Sequence, residues 1–481
     1  MTLLQLTGAR ARKIAREGAW SPRRPLEWLS RAAVAVTLIA AIAPTANAQE
    51  AATDKLIGEA YNYAFPLFKL SQYRWTALET TDARTSTRLN QFAHARRIAT
   101  PDDRWANSPI VDALYSTAWL DLAHGPVTLD TPDTGTRYFV LTLIDFYSNT
   151  FFYAGHRTTG TASQRYYVVG PDWRGTVPTG AQLVRAPTND VYVNLRVQVD
   201  GPTDAQAANA IQDGFRITPA TPDRVADVPA RVHPLAEEGP RNFLAVVNEM
   251  LALDPPPARD HALIEQYRRV GICGAECTWD RLPANVQAAW QDRYPNLEHE
   301  FLATYLAAAR AHGWIDYNPP GSKLGTNEQR DYDLRALALA MGMGILGVNR
   351  EEANYWITFR DAQADPLLGS QRYRLHLPPG GIPAKAFWSV SLYAVDKDGQ
   401  FLAANPINRY QISSRTPGLV VNADGSVDIW MQAQRPTDTQ AANWLPTPDD
   451  GRRFTLFARA YDPTGSVLAG TFKMPPVELL P

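Results

Sequence analysis

Two blocks of short apolar runs at period two, separated by a long stretch at the helical period, limit what this chain can fold into. From Pro126 the runs Val127–Leu129, Tyr138–Ile144, Phe151–Tyr153 and Tyr166–Val169 are β-branched or aromatic. Pro132-Asp-Thr-Gly135, Gly160 and Gly170-Pro171 punctuate them, which is strand-and-turn chemistry. Asp190–Val197 alternates as a strand with one buried face should. After Pro366 the pattern returns. Phe387–Tyr393 and Phe401-Leu402 flank Asp396-Lys-Asp-Gly399, while Leu419–Val421 and Val427–Trp430 flank Asn422-Ala-Asp-Gly425. An Asp-Gly turn between alternating apolar runs is a strong hairpin signal. Phe454–Ala460 and Val467-Leu468 complete a second antiparallel unit, predicted as a sandwich or jelly roll.

Helical period governs the rest. Ile57, Ala60, Tyr61, Ala64 and Phe68 recur at three-and-four spacing, so residues 51–80 are predicted as an amphipathic helix, kinked or ended near Phe65 by Pro66. Residues 203–315 are predicted helical, with Phe243–Leu253 stopping at Pro255-Pro-Pro257. Residues 284–312 carry a core stripe through Val286, Trp290, Leu297 and Phe301 that Pro295 interrupts, and another helix is expected from Asp331 to about Met343. Residues 110–122 fit one helix or a strand pair equally. The fold class that follows is α+β: two antiparallel β-sandwich-like domains with a helical middle segment. Expected boundaries are 49–202 for the first β domain with its opening helix, 203–364 for the helical region and 365–481 for the second.

Residues 1–48 read as an export leader. Arg31 precedes the uncharged run Ala32–Ala43, and Ala46-Asn47-Ala48 supplies a small-residue cleavage site. The run falls short of the roughly 18 residues that would span a bilayer, and no later segment is expected to cross one. A periplasmic or secreted location is therefore expected, by a general or a twin-arginine route. The leader carries Lys13 and six arginines against Glu17 and Glu27, which puts the remainder near −7 for a whole-chain charge of −2. That mildly acidic balance, with no basic cluster among aromatics, argues against nucleic acid as a partner. Cys273 and Cys277, four apart, are expected to form a local disulfide in an oxidising compartment. A metal clip or redox pair is the alternative, but no histidine lies nearby in sequence and the spacing is not C-x-x-C.

Familiar catalytic signatures do not occur: no G-x-S-x-G, S-x-x-K or H-E-x-x-H, and no Gly-rich phosphate loop before a helix. The eight histidines are scattered, and Asp396-Lys-Asp-Gly399 lacks the later acid that would close a calcium loop. Neither metal nor cofactor is expected. Aromatics and lone carboxylates instead crowd two blocks, residues 111–122 with 143–160, and residues 386–410 with 443–448.

These blocks resemble the paired bacterial families called domain of unknown function twelve fifty-four (about residues 60–195) and twelve fourteen (about residues 365–478). The second resemblance rests on F-W-S…Y at 387–393, N…R-Y at 405–410, D-G-S at 424–426, N-W-L-P-x-P at 443–448 and R-x-Y-x-P at 459–463. The first rests on D-x-L-Y-S at 112–116, W-L-D-L at 119–122 and G-x-R-T-T-G at 155–160; Ile110-Val-Asp-Ala113 departs from the family's frequent N-x-D-T. The resemblance implies an exported protein with β-sandwich-like domains and carries no activity across.

Asp145, inside the apolar run Leu141–Tyr147, is a candidate acid or base whose pKa burial would raise. Equally it reads as a structural carboxylate, paired for instance with Arg157 across a hairpin. Asp112 and Asp121 are the candidates to join it as a two-carboxylate hydrolytic site. Arg157 in its glycine-bounded loop, Tyr115, Asn405, Arg409 and Trp444 are the candidate substrate-binding residues. Trp444 precedes Pro446 on an expected loop, where a large aromatic is expected to face a cleft. The functional expectation is an exported protein holding a small organic or saccharide ligand in an interdomain cleft, as a hydrolase using carboxylate chemistry. The alternative is a non-catalytic binding or assembly protein of the cell envelope. Homo-oligomer formation is left open.

Overall fold

Four β-sheets, stacked in pairs, carry the architecture of the computed structural model, which describes residues 29–81, 86–104, 107–221, 230–311, 313–340 and 347–481. The chain divides into two units, Met1–Ala52 and Thr53–Pro481, and all four sheets lie in the second. Of the expected leader, residues 1–28 and the side chains through Asn47 lie outside the described residues. No helix among the described residues is long and apolar enough to cross a membrane.

In the first sandwich, a five-stranded antiparallel sheet holds Ala113–Asp121, Asp190–Gln198 and Phe139–Asp145 side by side at its centre. One face stacks Leu120, Leu141, Leu143, Val191, Val193 and Leu195 on Val127, Leu129, Tyr166 and Val168 of a four-stranded sheet. Each such aliphatic side chain contributes about 2 kcal/mol on full burial. The second sandwich repeats the scheme. Its larger sheet centres on Ala353–Thr358, Phe454–Pro463 and Ala384–Asp396, and packs on a four-stranded sheet through Leu375, Val390, Ile429, Leu456 and Met431. Pairing is antiparallel except at two edges, Gln182–Arg185 on Gln164–Val169 and Trp444–Pro446 on Val427–Gln432.

The other face of the first large sheet is also covered, which is why Asp190–Gln198 is buried at every residue instead of on alternate ones. At one end Trp119, Tyr192 and Ile144 form a row against the helical layer. At the other, Tyr138 and Val140 meet Tyr355, Phe387 and Tyr461 of the second sandwich. The two sandwiches thus touch through the outer faces of their large sheets.

Several elements differ from expectation. The ambiguous 110–122 segment is one strand, Ala113–Asp121. The first helix, Leu29–Glu79, runs through Pro66, and Ala284–Ala311 runs through Pro295. A residue before proline is biased away from helix, but packing of Tyr61, Phe65 and Phe68 onto Phe243 and its neighbours overrides that bias. Within the expected helical region Arg216–Pro219 is a strand on Val127–Thr131, and Ile315–Asp316 and Ala353–Thr358 bring the second large sheet in earlier than Pro366. The Asp396–Gly399 hairpin forms. The Asn422–Gly425 turn also closes, but Leu419–Val421 is not a strand, because the side chain of Asn443 takes the N–H and C=O of Val420.

Candidate functional site

A groove of about 900 Å³ opens where the two sandwiches meet. One wall comes from the first sandwich: residues 97–102, Val111-Asp112, and Val199–Pro202 just past the central strand. The opposing wall is residues 404–417 of the second, a loop followed by the short edge strand Gln411–Ser413. Local chemistry fixes that loop. Oδ1 of Asn405 accepts the N–H of Ile407 and Arg409, and its amide donates to the carbonyls of Ala403 and Arg409, closing a loop round Pro406. Asn408 accordingly sits at φ 48. Nη1 of Arg409 donates to the carbonyls of Ala441, Ala442 and Trp444, tying the loop to the neighbouring chain.

Asp112 lies at the base of the groove, 3% exposed. It accepts hydrogen bonds from Ser389 Oγ at 2.7 Å and the Tyr461 hydroxyl at 3.0 Å, both from the other sandwich. Behind it Arg459 donates to Ser391 Oγ at 2.9 Å and to the Tyr393 hydroxyl at 3.0 Å. Arg196 donates to the Tyr355 hydroxyl at 3.1 Å and stands over the Tyr115 ring. Strand register produces this layer: Tyr115, Arg196 and Val140 form one row, and Tyr355, Arg459 and Ser389 form the facing one. Burial pushes the phenols of Tyr461 and Tyr115 well up, and for Tyr461 the nearby Asp112 adds to it. Tyr461 therefore stays protonated and donates to the Asp112 carboxylate, while the hydroxyl oxygens of Tyr355 and Tyr393 accept from the two buried guanidinium groups.

Along the groove the charges divide into committed and uncommitted. Arg97 grips Asp103 with both nitrogens, and Arg415 pairs with Asp200 across the two sandwiches. Arg409 has no carboxylate partner among the described residues, and burial alone lowers its pKa. Its half-buried guanidinium, beside the aromatic Tyr410, is suited to an acidic or multiply hydroxylated ligand.

The sequence-derived candidates scatter. Asp112, Asn405 and Arg409 line this one groove. Asp121 lies at the far end of the same strand as Asp112, roughly 30 Å along it. There it accepts from His124 Nδ1 at 2.8 Å and lines a separate cavity. Asp145 sits on the opposite sheet face from Asp121, since it is in register with Val191 and Leu120 while Trp119 pairs with Tyr192. Its carboxylate accepts from the N–H of Tyr147 and Asn149 and from the Asn149 amide, capping the turn to the next strand. Burial raises its pKa, with those hydrogen bonds opposing. Arg157 does not reach it. Arg157 donates to Glu352 at 2.8 Å, and Tyr138 donates to the same carboxylate at 2.6 Å. Trp444 does not face a cleft: it is 3% exposed in a strand, its indole N–H donating to the Gln432 carbonyl. Tyr115, half-buried, packs its ring against Arg196 of the buried layer. Cys273 and Cys277 form a disulfide.

Arg196, Arg459, Tyr355 and Glu352 went unread in the sequence. The signal available was the row Asn194, Arg196 and Gln198, which alternates with Val193, Leu195 and Val197 and so marks the second face of that strand.

Residues 89–219 match the family model described as protein of unknown function DUF1254, and residues 352–465 match that described as protein of unknown function DUF1214. The chain thus carries both domains in that order. No curated protein matches it. Among solved structures it is similar to the VPA0106 protein from Vibrio parahaemolyticus, at 22% identity and TM-score 0.68, over 89% of this chain and 100% of that one, which is a likeness of fold. An uncharacterised protein from Burkholderia cenocepacia aligns over 90% of this chain and 96% of its own, at 14% identity and TM-score 0.44, too low to define a shared fold.

Proposed function

We propose that this chain, joining the two domains across one groove, is an exported binding protein for a small polar organic or saccharide ligand held between the sandwiches. Arg409 carries the reading: it is a half-buried cation on the groove wall, tethered by backbone carbonyls and without a carboxylate partner among the described residues. Tyr410 beside it offers an aromatic face, and residues 111–112 and 199–202 close the other side. This is the mix of apolar surface and few fixed polar groups on which small ligands are oriented. An export leader at 1–48 would deliver the chain to the periplasm or beyond.

A carboxylate hydrolase is the second reading, favoured by the gathering of Asp102, Asp112 and Asp200 around the same groove. Two of those acids are already engaged, Asp200 by Arg415 and Asp112 by two hydroxyls. Binding therefore ranks above turnover.

The test is calorimetric titration of the full chain with neutral sugars, uronic acids and hydroxy acids. Ala404, exposed on the groove wall, becomes the blocking variant Ala404→Trp. Binding should vanish in Ala404→Trp, and Arg409→Gln should weaken acidic ligands by about tenfold or more. Equal affinity in wild type and Ala404→Trp would refute the groove. Turnover of any bound ligand, abolished by Asp112→Asn, would promote the hydrolase reading.

A further inference from the structure

The cavity that receives Asp121 is distinct from the groove. It measures about 600 Å³ and lies between the end of the first sandwich and the helix Gly239–Leu253. One helix face supplies Ala245, Asn248, Glu249 and Ala252 at the spacing that brings residues three and four apart together. The two alanines leave open space that larger side chains would fill. Asn248 fixes the facing wall: its amide donates to the Gly271 carbonyl, and its oxygen accepts the N–H of Cys273 and Gly274. The disulfide loop that follows contributes Cys277 and the half-buried indole of Trp279.

Carboxylates outnumber cations around this cavity: Asp121, Asp190, Glu249 and Asp280 line it against Arg231 and Arg241. Arg231 and Arg74 are both spent on Asp190, at 2.7 and 3.1 Å, and Arg241 is spent at the rim on Asp280. Asp121 is met by His124. Glu249 forms no ion pair among the described residues; its oxygens share the single N–H of Val232. Directly behind the lining pair Asn189-Asp190, Asp254 is fully buried. One of its oxygens accepts both of their N–H groups, while the other has no partner among the described residues. Burial raises the pKa of both Glu249 and Asp254, against the opposing pull of Arg231 on each. No group of His, Cys, Asp and Glu among the described residues is arranged to hold a metal ion.

We propose that this cavity is a second binding site, for a small organic ammonium ion whose head meets Glu249 beside Asp121 and whose apolar body lies along Ala245, Ala252 and Trp279. The carboxylate supplies the charge-assisted hydrogen bond, and the indole supplies a face to which ammonium groups are attracted.

Isothermal titration of the full chain with phenethylamine tests this, with phenethyl alcohol and 3-phenylpropionate as probes of equal body and different charge. The amine should bind at least tenfold more tightly than either control. Glu249→Gln should weaken it about tenfold or more, as loss of a hydrogen bond to a charged group does. Ala252→Trp, on the exposed helix face, should abolish binding and serves should Glu249→Gln fail to fold. Ala404→Trp should leave it unchanged, which separates this site from the groove. No amine binding, an alcohol bound as tightly as the amine, or a wild-type affinity in Ala252→Trp would each overturn the proposal.

Discussion

Replacing Asp112 with alanine probes the joint between the sandwiches most sharply. The carboxylate is 3% exposed and accepts from Ser389 and Tyr461, so Asp112→Ala strands two buried hydroxyls at once. It also removes the carboxylate nearest the buried guanidinium of Arg459. A hydrogen bond to a charged group contributes about 1.5–3 kcal/mol, and breaking a buried ionic arrangement from one side typically costs about 3–5 kcal/mol. Non-additivity within one network keeps the total near about 4 kcal/mol. For a unit of this length unfolding cooperatively, that corresponds to a melting-point drop of roughly 4 °C. Tyr461→Phe keeps the ring stacked on Phe387 and removes one bond, so about 1–2 kcal/mol is expected. Urea unfolding followed by tryptophan fluorescence reads all three variants. The double variant should fall short of the sum of the singles by about 1 kcal/mol or more, since the two side chains share one bond. An Asp112→Ala loss below about 1 kcal/mol, or strict additivity with Tyr461→Phe, would refute a structural role for this carboxylate in joining the halves.

Further outcomes follow from other features. Reducing the Cys273–Cys277 bridge, or replacing both residues with serine, should cost about 2 kcal/mol in urea unfolding, because the closed loop is short. His94, bonded to Ser116, has its pKa lowered by burial to about 4 from 6.5. Between those values the unfolded chain binds the extra proton, so stability should fall as pH drops through that window, and His94→Gln should flatten the dependence. The proposed leader predicts that amino-terminal sequencing of the mature protein begins at Gln49, and retention of residues 1–48 would contradict it.

Legibility from sequence followed the range of the interactions involved. Short-range chemistry was readable: the Asp396–Gly399 hairpin formed, and helix Gly239–Leu253 stopped ahead of Pro255. Strand Ala353–Thr358 was missed because its long neighbour in the sheet lies a hundred residues downstream, at Phe454–Pro463, and the other is only the two-residue strand Ile315–Asp316. Prolines 66 and 295 misled because local bias weighs less than burial of an aromatic helix face. The site was harder still. Asp145 and Asp112 look alike in sequence, each an acid amid apolar residues, yet one caps its own turn and the other bonds across the domain joint. Only the partner, 277 residues away at Ser389, distinguishes them. Trp444 sat beside two prolines and so read as loop, whereas a parallel edge pairing with Trp430 draws it into a strand.

Hydrogen exchange of the full chain, with and without the tightest-binding sugar or hydroxy acid, bears most directly on the interdomain groove as the place of function. Slowed exchange should appear together in residues 199–201 and 405–411, on both walls. Protection confined to one sandwich, or no ligand producing any, would contradict the account.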